Sequence, residues 1–178
     1  HLIRAEMKGI LVGKNTAITD NPSLTVRLSQ KELGLAKSMP IPQPTKIILG
    51  ELTQLTDAKK VFAKRAKVII GSRKSGFAKK NVEHLQYRNK NFLKAFMGDL
   101  LKRNITSVLV EGGQKTLNAF IANNLFDELV LYTAPIILGK KSKNTLNLES
   151  PLLIKNASKL KLEKLETFGD DIKATYIT

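Results

Sequence analysis

The sequence predicts an α/β fold with a mostly parallel sheet, mixed at its end, flanked by helices and finishing in an antiparallel hairpin. Three observations predict it. Short continuous apolar runs at residues 9–13 (GILVG), 46–49 (KIIL) and 67–70 (KVII) suit strands covered on both faces. Residues 89–103 carry Phe92, Leu93, Phe96, Leu100 and Leu101 at helical spacing, as an amphipathic crossover helix would. Residues 159–168 and 172–177 alternate apolar and polar side chains around Gly169-Asp170-Asp171, which is a hairpin signature.

In chain order, residues 1–7 (HLIRAEM) read as the end of a helix feeding the first strand at 9–13. A domain rarely opens that way, so a further strand or domain is expected upstream of His1. Residues 14–28 read as a polar loop with turn chemistry at Asp20-Asn21-Pro22 and a short extended piece at 25–28. Arg27, between Val26 and Leu28, either points out from an edge or reaches into a cleft for an anion. Pro40, Pro42 and Pro44 make residues 29–45 a surface connection, because proline continues neither a helix nor a central strand. The strands at 46–49 and 67–70 end in Gly50-Glu51 and in Gly71-Ser72-Arg73-Lys74, and another strand is expected near 82–87 (VEHLQY).

The chain is organised around residues 107–127. The apolar run Val108, Leu109, Val110 ends in Glu111, then Gly112-Gly113, then a segment with Leu117, Phe120, Ile121 and Leu125 at helical spacing. This reads as strand, tight turn and helix. A helix start offers unpaired N–H groups and the positive end of the dipole to an anion, and glycine lets a ligand come close. Lys115 and Thr116 would add a charge and a hydroxyl. Beyond it, residues 128–133 (ELVLYT) are a strand, and residues 135–139 (PIILG) turn onto a basic loop with Lys140, Lys141 and Lys143.

Thirty Lys and Arg against fifteen Asp and Glu give a formal charge of +15 over 178 residues. That balance suits nucleic acid, an acidic membrane or a phosphorylated small molecule. The lysines are scattered and aromatics are few, which disfavours nucleic acid bound by stacking. No run approaches the roughly 18 apolar residues of a membrane span, so a cytoplasmic location is expected. Without cysteine, and with only His1 and His84, no disulfide, thiol nucleophile or common zinc spacing is available, and no metal is expected. The length points to one domain.

LVGKNTAITDNPSLTVR and LVEGGQKTLNAFIANNLFDELVLYTAPIILG, in that order, resemble the reductase domain of the bifunctional riboflavin-biosynthesis deaminase–reductases, which have a dihydrofolate-reductase-like fold. The resemblance spans nearly the whole chain. It implies NADPH-dependent reduction of 5-amino-6-(5-phosphoribosylamino)uracil to 5-amino-6-(5-phosphoribitylamino)uracil. It carries cofactor contacts onto Thr16, Asp20, Gly113, Gln114, Lys115, Thr116 and Leu117. Substrate contacts fall on Arg4, Leu24, Arg27 and Glu111, with Glu111 also the one candidate catalytic acid. A homodimer is expected, and a linked deaminase domain in the full-length protein, although a cysteine-free chain cannot itself hold the deaminase zinc signature.

Two features depart from the family. Its first reductase strand is not found in the sequence from His1 onward. Where the family has Asp-Ser after the 46–49 strand, this chain has Gly50-Glu51, whose carboxylate would repel a 2′-phosphate unless Arg73 or Lys74 compensates. NADPH is still expected over NADH. The competing readings are a related pteridine or diaminopyrimidine reductase and a non-catalytic module for RNA or another polyanion.

Overall fold

The computed structural model describes residues 1–51, 60–63, 66–74, 80–89, 91–137, 139 and 159–178. The expected basic loop at Lys140, Lys141 and Lys143 lies outside them. The chain forms two compact units, His1–Thr116 and Leu117–Thr178.

The first unit holds α1 (Leu2–Glu6), β1 (Gly9–Gly13), α2 (Lys14–Thr19), β2 (Thr45–Leu49), β3 (Val68–Ser72), β4 (Val82–Gln86), α3 (Phe92–Leu101) and β5 (Val108–Val110). A single 3-10 turn, Lys60–Phe62, precedes β3. The strands make a parallel sheet in the order β4-β3-β2-β1-β5. All of β1 and β3 and the middle of β2 are buried, which is why these strands read as unbroken apolar runs.

Register sorts the side chains onto two faces. Ile10, Val12, Ile48, Val68 and Ile70 pack with Ala17, Leu24 and Val61 on one face. On the other, a Cβ added to Gly71 would lie 2.7 Å from the Phe96 ring, so α3 sits directly against β3 there. Ile105 approaches Gly9 on that same face. The α3 helix ends in a Schellman arrangement with Asn104 at φ 60°, where Ile105 N–H donates to Leu100 O and Asn104 N–H to Leu101 O.

One local expectation changes. Residues 14–19 form α2 rather than a loop, because Ala17 is buried in the core and Ile18 packs beside it. Residues 25–28 form no strand. Instead the Gln43 side chain accepts from Val26 N–H at 3.0 Å and donates to Val26 O at 3.1 Å, taking the place of a neighbouring strand.

The α4 helix (Gln114–Ala122) leads into the second unit, which holds β6 (Glu128–Thr133), β7 (Lys161–Phe168) and β8 (Asp171–Ile177). Asn124, at φ 49°, ends α4 with the same pair of bonds, Leu125 N–H to Phe120 O and Asn124 N–H to Ile121 O. The expected hairpin is β7–β8, turning at Gly169 with φ 61°, and β6 joins it in an antiparallel sheet of order β6-β8-β7. No helix of the described residues is long and apolar enough to cross a membrane.

Candidate active site

The strand order places a topological switch between β1 and β5. From β1 the chain moves outward through β2, β3 and β4, then returns to add β5 on the opposite side of β1. Segments leaving the carboxyl ends of those two strands diverge, and open α/β sheets bind ligands in the crevice so formed. Here the segments are α2, which carries Thr16, and the Glu111-Gly112-Gly113 turn into α4.

A hydrogen bond spans the crevice, from Gly113 N–H to Thr16 Oγ1 at 3.0 Å. The Thr16 oxygen accepts that bond, so its own hydroxyl proton is left to donate. Asp20 lies one helical turn on, exposed, and its N–H donates to Thr16 O at 3.0 Å.

The two glycines of the turn have different reasons to be glycine, and neither has a positive φ. A Cβ on Gly112 would fall 2.5 Å from Thr116 Cβ and 2.7 Å from Thr116 Cγ2. A Cβ on Gly113 would meet only Thr16 Oγ1, at 3.1 Å, and Gly113 is exposed. Gly112 therefore serves packing, and the open space lies over Gly113.

Thr116 is buried, and its side chain fills the space beneath Gly112 and Gly13. Its main-chain N–H donates to Gly113 O at 2.8 Å. It builds the turn instead of presenting a hydroxyl to solvent. Gln114 is half-buried at the first position of α4, Lys115 is exposed beside it, and Leu117 is half-buried as the first residue of the second unit.

Glu111 and Arg4 form one group. Arg4 Nε donates to Glu111 Oε1 at 2.7 Å and the NH2 nitrogen to Oε2 at 2.5 Å, while NH1 donates to Thr25 O at 3.1 Å. The side chains are 18% and 30% exposed, and the carboxylate holds the guanidinium pKa above its ordinary value. Glu111 is anchored from behind, its N–H donating to Leu11 O at 2.9 Å.

Leu24 and Arg27 are not drawn into that group. The Leu24 side chain is buried in the core, at φ 50°, so only its main chain can face a ligand. A left-handed leucine costs on the order of 1–3 kcal/mol, a strain more common at functional sites than elsewhere. Arg27 is exposed; its main-chain N–H lies 3.3 Å from His1 Nδ1 and its Nε 3.2 Å from His1 Nε2. A neutral imidazole has one acceptor nitrogen, so only one of these bonds forms at a time and Arg27 is lightly held.

Beyond β2 and β3 lie Glu51, Arg73 and Lys74, the residues weighed for cofactor choice. Lys74 Nζ sits 3.7 Å from Glu51 Oε2, and the Arg73 guanidinium lies 5.6 Å from the Phe92 ring centre. The Ser72 hydroxyl donates to Lys74 O at 2.7 Å and is also 2.7 Å from His84 Nε2. With the hydroxyl proton engaged, His84 Nε2 carries the hydrogen of that second bond. His84 is half-buried on β4.

Comparison with known proteins places this geometry. The chain is 32% identical over 181 residues to the riboflavin biosynthesis protein RibD of Haemophilus influenzae, covering 98% of this chain and 48% of that protein. It is 29% identical to the 5-amino-6-(5-phosphoribosylamino)uracil reductase of Buchnera aphidicola, covering 96% of this chain and 86% of that protein. The structure of Acinetobacter baumannii RibD superposes with a TM-score of 0.82 at 24% identity, covering 98% of this chain and 47% of that one, and so shares the dihydrofolate-reductase-like fold. The chain thus spans about half the length of the RibD proteins it matches. The family model described as the RibD C-terminal domain matches residues 1–174, and the chain belongs to that family.

Proposed function

We propose that this chain reduces 5-amino-6-(5-phosphoribosylamino)uracil to 5-amino-6-(5-phosphoribitylamino)uracil with NADPH, as a reductase of riboflavin biosynthesis. The observation that carries this reading is the Thr16–Gly113 bond across the switch between β1 and β5, with the Arg4–Glu111 pair anchored on β5 beside it.

The residues present fit a dinucleotide. The open side of Gly113, the free proton of the Thr16 hydroxyl and the exposed Lys115 ammonium suit a pyrophosphate at the start of α4. Gln114 and Thr116 support that turn, and Asp20 takes a ribose hydroxyl. When bound, the nicotinamide supplies the hydride that reduces the sugar C1.

The chain's own part is positioning and charge. Arg4 uses three of its five N–H groups on Glu111 and Thr25, so it orients the carboxylate more than it offers free charge. Glu111 accepts from the substrate's pyrimidine or ribose with its remaining lone pairs. It is also the group placed to pass a proton toward the ring-opened sugar. Arg27, exposed and lightly held, takes the substrate phosphate, and the Leu24 main chain bounds the same pocket.

NADPH is favoured over NADH because Glu51 is not alone. Lys74 offsets its carboxylate and Arg73 stands next to it in sequence, so a 2′-phosphate would meet two cations near one anion. The test is direct: add substrate to protein and NADPH and follow absorbance at the nicotinamide band. Loss of absorbance that requires the phosphoribosylaminopyrimidine supports the assignment. Nucleotide that is never oxidised, with RNA binding that weakens steeply with salt, would replace it with the polyanion-binding reading.

A further inference from the structure

A second concave site lies at the opposite end of the parallel strands. Lys46 is the second residue of β2 and Lys67 immediately precedes β3, so both mark amino ends, whereas Thr16 and Glu111 follow carboxyl ends. Between them is a cavity of about 600 Å³ lined by Lys46, Lys60, Lys67, Ser23, Thr25 and Gln43, among others. No carboxylate lines it among the described residues.

Lys46 is the unusual member. Its side chain is buried, 4% exposed, and Nζ donates to Val61 O at 3.0 Å, leaving two further N–H directions. A buried ammonium is ordinarily paired with a carboxylate, because desolvating a lone charge is costly. Here no acid among the described residues forms an ion pair with it, and desolvation lowers its pKa. The Lys60 main-chain N–H donates to Asn21 Oδ1 at 2.8 Å, and the Ser23 and Thr25 hydroxyl oxygens are 3.3 Å apart.

We propose that this cavity binds a phosphate group, free or carried on a small molecule, between Lys46, Lys60 and Lys67. Three lysines, two hydroxyl residues and an amide line it with no carboxylate among the described residues, a lining that matches an oxyanion with several acceptor oxygens. The cavity volume leaves room for an organic body beyond the phosphate. The site is separate from the crevice at Gly113 but shares a wall with the Arg4–Glu111 group. Thr25 lines the cavity, and its carbonyl accepts from Arg4 NH1 at 3.1 Å.

The test is calorimetric titration of the whole chain with inorganic phosphate and with phenyl phosphate, at ionic strength fixed with sodium chloride. Both are expected to bind with dissociation constants below about 1 mM. Tighter binding of the ester identifies a phosphate-ester site, and equal binding a free-phosphate site. Lys60→Met with Lys67→Met is expected to weaken binding at least about tenfold with an unchanged unfolding midpoint, and Lys46→Met to abolish it. Lys94→Met, exposed on α3 and not lining the cavity, is expected to leave it within about twofold. The assignment is overturned if the unaltered protein shows no saturable heat up to about 10 mM of either probe. It is overturned equally if the double lysine variant binds like the parent, or if Lys94→Met loses as much as that variant does.

Discussion

Arg4 and Glu111, 107 residues apart, meet through two parallel hydrogen bonds, Nε to Oε1 at 2.7 Å and NH2 to Oε2 at 2.5 Å. The pairing joins the helix before β1 to the end of β5, the strand that lies beside β1 in the sheet. It fixes the carboxylate's orientation next to the glycine turn, and planar bidentate contact is what arginine provides and lysine does not.

Replacing Glu111 with Gln keeps the shape and removes the charge. The pair is partly exposed, so stability is expected to fall by only about 1 kcal/mol in urea unfolding. Turnover is expected to fall on the order of a hundredfold if Glu111 moves a proton. A variant with normal kcat and raised KM would limit Glu111 to substrate binding.

The two glycines of the turn should separate stability from cofactor binding. Gly112→Ala forces a Cβ into Thr116 and is expected to destabilise the fold by about 1–3 kcal/mol. Gly113→Val should cost less stability but weaken nicotinamide nucleotide binding at least about tenfold, because its side chain enters the open space. Thermal unfolding with nucleotide titration reads both; a reversed order would place the cofactor elsewhere.

Arg27→Ala removes an exposed, lightly held cation. The expected result is a rise in substrate KM of about tenfold or more, with the NADPH dissociation constant nearly unchanged. Equal losses for substrate and cofactor would show that this side chain serves the other half of the crevice.

Lys74→Met leaves Glu51 without its partner. Affinity for NADPH is expected to drop several-fold while that for NADH stays constant, since only the former brings a 2′-phosphate near the carboxylate. Paired titrations at one ionic strength measure the ratio, and a ratio that does not move removes Glu51 and Lys74 from cofactor choice.

Gly71→Ala tests the other face of the sheet. A Cβ there lies 2.7 Å from the Phe96 ring, so overpacking is expected to cost about 1–3 kcal/mol with no change in cofactor affinity per folded molecule. Unfolding midpoints with and without nucleotide check it.

The sequence by itself determined where the strands lie, because burial on both faces writes an unbroken apolar run and a half-exposed hairpin writes an alternating one. It located the turn at Gly112-Gly113 and, through two long motifs, the family. It did not show that residues 14–19 are helical, since one buried alanine beside one isoleucine gives little periodicity in a polar stretch. Nor could it pair Arg4 with Glu111, turn Leu24 inward, place Thr116 beneath two glycines, or surround a cavity with three lysines. Those outcomes depend on which strands become neighbours and in what register. That choice is made by the packing of segments far apart in the chain, so no local pattern of residues records it.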